Sequence, residues 1–155
     1  MFDWLANPNR FKRITKKLQP FFLFIAVITL ISGLYFGLYD SPKDYQQGDA
    51  VRIMYVHVPS AWLASFLYFI LAISCVFYLV WKHPLADLVS SSIAPIGALF
   101  SALTLVTGSL WGKPMWGTWW VWDARLTSML VLFFFYLGYI LPVSYTHLRA
   151  HETNS

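Results

Sequence analysis

The chain has 155 residues, of which 58% are hydrophobic and only 12% charged, with a net charge of +4. A soluble domain carries about 25% charged residues, so this composition excludes an ordinary water-soluble globule and points to lipid as the solvent. The single cysteine, Cys75, excludes an internal disulfide, a CxxC redox pair, a cysteine-based zinc site and the CxxCH haem-attachment signal of a c-type cytochrome.

Arg10, Lys12, Arg13, Lys16 and Lys17 precede an uncharged apolar run at residues 21–39. That run is about long enough to cross a bilayer. It lacks a small-residue cleavage site, so it reads as a retained helix rather than a signal peptide. Residues 40–49 read as a solvated acidic loop. His57 follows in the segment 54–62, just before a second apolar run at residues 61–81, and Pro59 is compatible with a helix beginning there. A short polar turn at 82–87 holds His83, a solvated loop residue. The third run, 88–110, is milder because of its serines, threonines and Gly97, and the fourth spans 126–143. Backbone within hydrocarbon must satisfy its own hydrogen bonds, so each run is helical. The expectation is an all-α fold: a polytopic transmembrane helical bundle with four spanning helices in one domain, residues 1–143. Residues 144–155 turn polar abruptly, without apolar periodicity, and read as a non-native tail. His147 and His151 in that tail stand four apart, like a helical metal pair, but fall on the opposite side of the membrane from the features described next.

Lysine and arginine bias near the helix ends sets orientation. It places the N-terminus in the cytoplasm, residues 40–57 outside, 82–87 inside and 111–125 outside. Two helices separate His57 from Trp111, so the two face the same compartment whichever way the protein is inserted.

Residues 111–123 read WGKPMWGTWWVWD, with five tryptophans (Trp111, Trp116, Trp119, Trp120 and Trp122) in twelve positions, ending on Asp123 and followed by Arg125. One or two tryptophans would be an interfacial anchor; this density, interleaved with glycine and proline, points to a platform. Gly112, Pro114 and Gly117 argue against a continuous helix before Thr118. A helix over 116–123 would place Trp116, Trp119, Trp120 and Asp123 on one face. Such a shelf suits a flat, hydrophobic, partly anionic ligand, with Lys113 and Arg125 available to its carboxylates. Arg125 could equally extend to the interface as an ordinary helix-start cation. His57 is either an interfacial polar residue or, as a neutral imidazole, an iron ligand. Cys75 reads as a small core residue. The sequence offers no nucleophile–base pair, phosphate-cradling loop or paired intramembrane carboxylates, so no enzymatic bond-making is expected. The first two runs hold no ionisable side chain of the kind that marks a solute channel.

Residues 111–127 resemble the WWD signature of the haem-handling family of cytochrome c maturation. Residues 21–141, including 54–62 and the charge-poor third run, are similar to its haem exporter C branch nearly throughout. The WWD core is shared with the related haem lyase components, which remain the alternative together with a structural membrane subunit carrying an aromatic interface loop. The resemblance implies a multi-pass protein of the bacterial inner membrane whose external WWD segment binds haem b as cargo. It implies that His57 is an axial iron ligand and that Trp111, Trp116, Trp119, Trp120, Trp122, Asp123 and Arg125 form the binding segment. It implies presentation of haem to the periplasmic chaperone CcmE, near the small membrane protein CcmD and the transporter subunits CcmA and CcmB, with lipid as the surrounding partner and no nucleic acid. The family has six spanning helices and a second external axial histidine, so four of six helices and one of two ligands are expected in this chain.

Overall fold

The computed structural model describes the backbone of residues 8–152 and the side chains of residues 10–142. It is built from four helices, α1 (Pro8–Tyr35), α2 (Val51–Trp81), α3 (Pro84–Trp116) and α4 (Ala124–Glu152), with a π-helical segment, Phe36–Asp40, continuing α1. All four are long and apolar enough to cross a membrane. The chain divides into two compact units, residues 1–42 and 43–155. The first is α1 with its π-helical extension, where the Ser41 hydroxyl donates to the Gly37 carbonyl at 2.7 Å.

The second unit is a three-helix arrangement in which α3 is central, packing on α2 and on α4. Two residues reverse the chain between α2 and α3. Lys82 takes a left-handed conformation (φ 52°) and its N–H closes on the Tyr78 carbonyl at 2.8 Å, and Pro84 opens α3. The buried face of α3 is made of small residues: Ser90, Ala94, Gly97, Ala98, Ser101, Thr104, Thr107, Gly108 and Gly112. Their spacing keeps them on one stripe, and in lipid, where apolar bulk gives no driving force, such a stripe lets helices approach closely. The serines and threonines that make this run mildly hydrophobic are therefore contact residues. Their hydroxyls bond back to their own helix, as Ser101 does to Gly97 (3.0 Å) and Thr104 to Phe100 (2.8 Å), so no bare polar group enters the interface.

Tyr136 of α4 fills the space the small residues leave. It is fully buried with Leu71, Ala94 and Ala98, and its hydroxyl donates to the Ala64 carbonyl on α2 at 2.8 Å. Tyr139 adds a second tie, donating to the Ser90 hydroxyl at 2.9 Å.

The helices extend beyond the apolar runs. α2 begins at Val51, so His57 lies inside the helix rather than ahead of it, and Pro59 is an interior proline. Pro59 withholds only the bond to the carbonyl one turn back, which a membrane helix tolerates. Likewise α3 runs through Gly112 and Pro114 to Trp116, where the sequence predicted a break. The backbone of α4 stays helical past residue 143, where the apolar pattern ends. The side chains of the tail, His147 and His151 among them, lie outside the described residues.

Candidate functional site

His57 stands two turns into α2, with its imidazole against α3. Its Nδ1 lies 3.0 Å from the Thr107 hydroxyl. Gly108 makes this approach possible, because a Cβ there would meet His57 Cε1 at 3.2 Å and Leu126 Cδ2 at 3.5 Å. The end of α3 that carries Thr107 and Gly108 leads one turn later to Trp111, so the α2–α3 hairpin alone brings the histidine and the first tryptophan together. His57 and Trp111 thus lie at the same end of the α2–α3 hairpin.

Gly117 ends α3. It adopts φ +75°, the left-handed conformation that glycine takes without strain, and its N–H bonds the Lys113 carbonyl at 3.0 Å. The chain then runs without helix from residue 117 to 123. The expected helical shelf over 116–123 is therefore not formed, because the helix stops at the very residue where the shelf was to begin. Trp116 remains on the last turn of α3, edge-on to Trp111 with ring centroids 5.0 Å apart.

Asp123 restarts the helix. Its Oδ1 accepts the Leu126 N–H at 2.9 Å, capping α4, while its Oδ2 accepts from Nε and Nη2 of Arg125 at 3.0 and 2.8 Å. The Leu126 N–H, reinforced by the Arg125 guanidinium, holds the Asp123 carboxyl below its ordinary range. Arg125 in turn lies over the Trp116 ring, 5.5 Å from its centroid, in a cation–π arrangement.

These elements enclose one cleft of about 340 Å³, lined by His57, Trp111, Trp116, Asp123 and Arg125 together with apolar positions of α2, α3 and α4 such as Met54, Leu105 and Met129. That volume is at the lower end for small-molecule pockets, and the lining follows their usual pattern of apolar walls with a few polar groups. The arrangement can take a flat apolar ligand against two indoles, offer it one imidazole, and meet an anionic group with Arg125. The Arg125 side chain is 77% exposed and keeps N–H donors beyond those given to Asp123.

Trp119, Trp120 and Trp122, named from the sequence with the others, do not line the cleft. Trp119 and Trp122 point outward, 55% and 76% exposed. Trp120 packs edge-on against Trp122 at 5.4 Å. Lys113 also turns away: it donates to the Gly117 carbonyl at 3.1 Å and sits 5.7 Å from the Trp119 ring centroid.

Three contributors escaped the sequence reading. Thr107 and Gly108 carry no motif, and only their place opposite His57 gives them a role. Gln47 lies in the acidic stretch read as a solvated loop. That stretch is folded on itself: Asp44 Oδ1 accepts the N–H groups of Gln46 and Gln47 at 2.9 and 2.8 Å, and Lys43 pairs with Asp49 at 2.7 Å. It thereby aims Gln47 Oε1 at the Trp111 indole N–H, 3.0 Å away. The Asp–x–x–x–Gly spacing of residues 44–48 was the available turn signal.

Compared with known proteins, residues 1–150 match the family model described as Heme exporter protein C (CcmC). The Heme exporter protein C of Bradyrhizobium diazoefficiens is 54% identical over 134 residues, covering 86% of this chain and 51% of that protein. The protein of the same name from Haemophilus influenzae is 53% identical over 141 residues, 89% of this chain and 57% of its own. A putative cytochrome c biosynthesis ccmC-like mitochondrial protein of Marchantia polymorpha is 59% identical over 106 residues, 68% of this chain and 46% of its own. The chain thus spans about half the length of the curated relatives it matches.

Proposed function

The chain belongs to the Heme exporter protein C family, and on that premise we propose that it binds haem in the cleft between α2, α3 and α4 and presents it for c-type cytochrome biogenesis. The observation that carries this reading is the convergence of His57, Trp111, Trp116 and Arg125, from three helices, on one apolar cleft. Each supplies what haem needs: an imidazole for iron, indole faces and edges for the macrocycle, and a guanidinium for a propionate. Haem b is cargo here, and the chain handles it without transforming it.

In this reading the basic N-terminus is cytoplasmic and the WWD segment periplasmic, in a multi-pass inner-membrane protein. The recipient is the periplasmic haem chaperone CcmE, with CcmD, CcmA and CcmB as neighbours. The split within the tryptophan segment supports a division of labour. Trp111 and Trp116 hold haem, while the outward Trp119 and Trp122 form the contact surface for the recipient. An aromatic interface loop and a haem site are then two halves of one segment.

The test separates retention from delivery. Trp111→Ala and Trp116→Ala are expected to lower the haem copurifying with the protein. Trp119→Ala and Trp122→Ala are expected to keep haem while loading less onto the chaperone. Unchanged retention in the first pair would overturn the cleft as the haem site.

A further inference from the structure

A histidine that binds a metal through one ring nitrogen needs its other nitrogen held, because that second bond sets the tautomer and the ring plane. In this cleft the holder is identifiable. Thr107 has one hydroxyl proton, and its oxygen lies 2.7 Å from the Leu103 carbonyl and 3.2 Å from the Thr104 carbonyl, both on its own helix. A carbonyl can only accept, so the proton is committed along the helix. The remaining neighbour, His57 Nδ1 at 3.0 Å, is then assigned as the donor, with the Thr107 oxygen accepting and the Thr104 backbone carbonyl as a further acceptor beside the ring. The imidazole is protonated on Nδ1, and Nε2 keeps its lone pair.

From this hydrogen-bond arithmetic we infer that Thr107 is the positioning residue for the haem-iron ligand His57, fixing the Nε2-ligating tautomer and strengthening the imidazole as a donor. The inference rests on the reading of His57 as ligand. The relay runs from the Leu103 carbonyl through the Thr107 hydroxyl to His57, so the backbone of α3 polarises the ring on α2. Gly108, next along α3, keeps the ring seated on that partner, since any Cβ there presses on Cε1. Thr107 is buried, so if the hydroxyl is lost the acceptor left beside the ring is the weaker-placed Thr104 carbonyl rather than water.

The experiment compares Thr107→Val, Thr107→Ser and His57→Ala in the full chain, extracted from membranes and loaded with haem. Three properties are read: haem retention, midpoint potential and the ferrous iron–histidine stretching frequency. Removing the hydrogen-bond partner of a metal-binding histidine typically weakens binding about 10–100-fold. Thr107→Val is expected to fall in that range, with a more positive potential and a lower stretching frequency. Thr107→Ser keeps the oxygen and is expected to restore all three. A merely structural role would leave the potential and the stretching frequency where they are. If His57→Ala alters the spectrum while Thr107→Val matches the unsubstituted protein in potential and stretching frequency, the positioning role is overturned and the ligand reading stands. If His57→Ala leaves the haem spectrum unchanged, the ligand reading fails and takes this inference with it.

Discussion

The indole N–H of Trp111 donates to the side-chain carbonyl of Gln47 at 3.0 Å, joining the loop before α2 to the end of α3 across 64 positions of chain. Trp111 meets Trp116 edge-on, and Trp116 lies under Arg125, which is held by Asp123. The folded loop therefore sits at one end of a continuous chain of contacts that shapes one wall of the cleft.

Gln47→Ala is expected to release Trp111 from the loop at a cost of about 1 kcal/mol, the usual net worth of a neutral hydrogen bond, and to reduce haem retention. Gln47→Glu keeps an acceptor oxygen and should behave close to the parent. Tryptophan emission and copurifying haem measure both effects. Equal behaviour of the two variants would show that the Gln47 contact does not shape the site.

Acid should open the same wall within a defined window. The Asp123 carboxyl is depressed below its ordinary value in the folded protein. A depressed carboxyl contributes stability that is present above the unfolded pKa, about 3.9, and is lost as pH falls through the folded value. The Asp123–Arg125 contact is thus expected to hold at neutral pH and to loosen only below about 4. Asp123→Asn keeps an oxygen for the Leu126 N–H but gives up the charge facing Arg125, so it should loosen the Arg125–Trp116 contact at neutral pH. An acid titration of tryptophan emission, with the variant beside the parent, checks both statements.

Tight packing at Gly97 makes a third prediction. A Cβ on Gly97 would clash with Cζ, Cε1 and the hydroxyl of Tyr136. Gly97→Ala is therefore expected to destabilise the α2–α4 unit by about 1–3 kcal/mol, as overpacking does. The cost should shrink when Tyr136→Leu is present, since that change removes the ring. Detergent unfolding of the two single variants and the double variant measures this coupling; strict additivity would contradict the packing described.

The four spans were legible in the sequence because uninterrupted apolar runs of bilayer length have few alternatives to helix. Their true ends were not. Pro59, Gly112 and Pro114 read as boundaries from local preference, yet α2 starts ahead of the first and α3 runs through the other two. Near a membrane a helix interrupted by proline still satisfies more backbone than a loop does, and that tertiary demand overrides propensity. The density of tryptophan drew attention to a segment of which Trp111 and Trp116 line one cleft with His57. What periodicity could not reveal was that Gly117 leaves the helix, so that Trp116 and Asp123 share the cleft while Trp119, Trp120 and Trp122 do not. Thr107 was legible only as part of a mildly polar run, because a hydroxyl that supports a histidine 50 positions away leaves no local pattern.

Whether His57 gives the cleft its affinity for haem iron is read from the visible absorption spectrum of His57→Ala. The protein purified from membranes is expected to carry a Soret band, and His57→Ala to show a shifted band with less haem per protein. An unchanged band at unchanged haem content would contradict the claim.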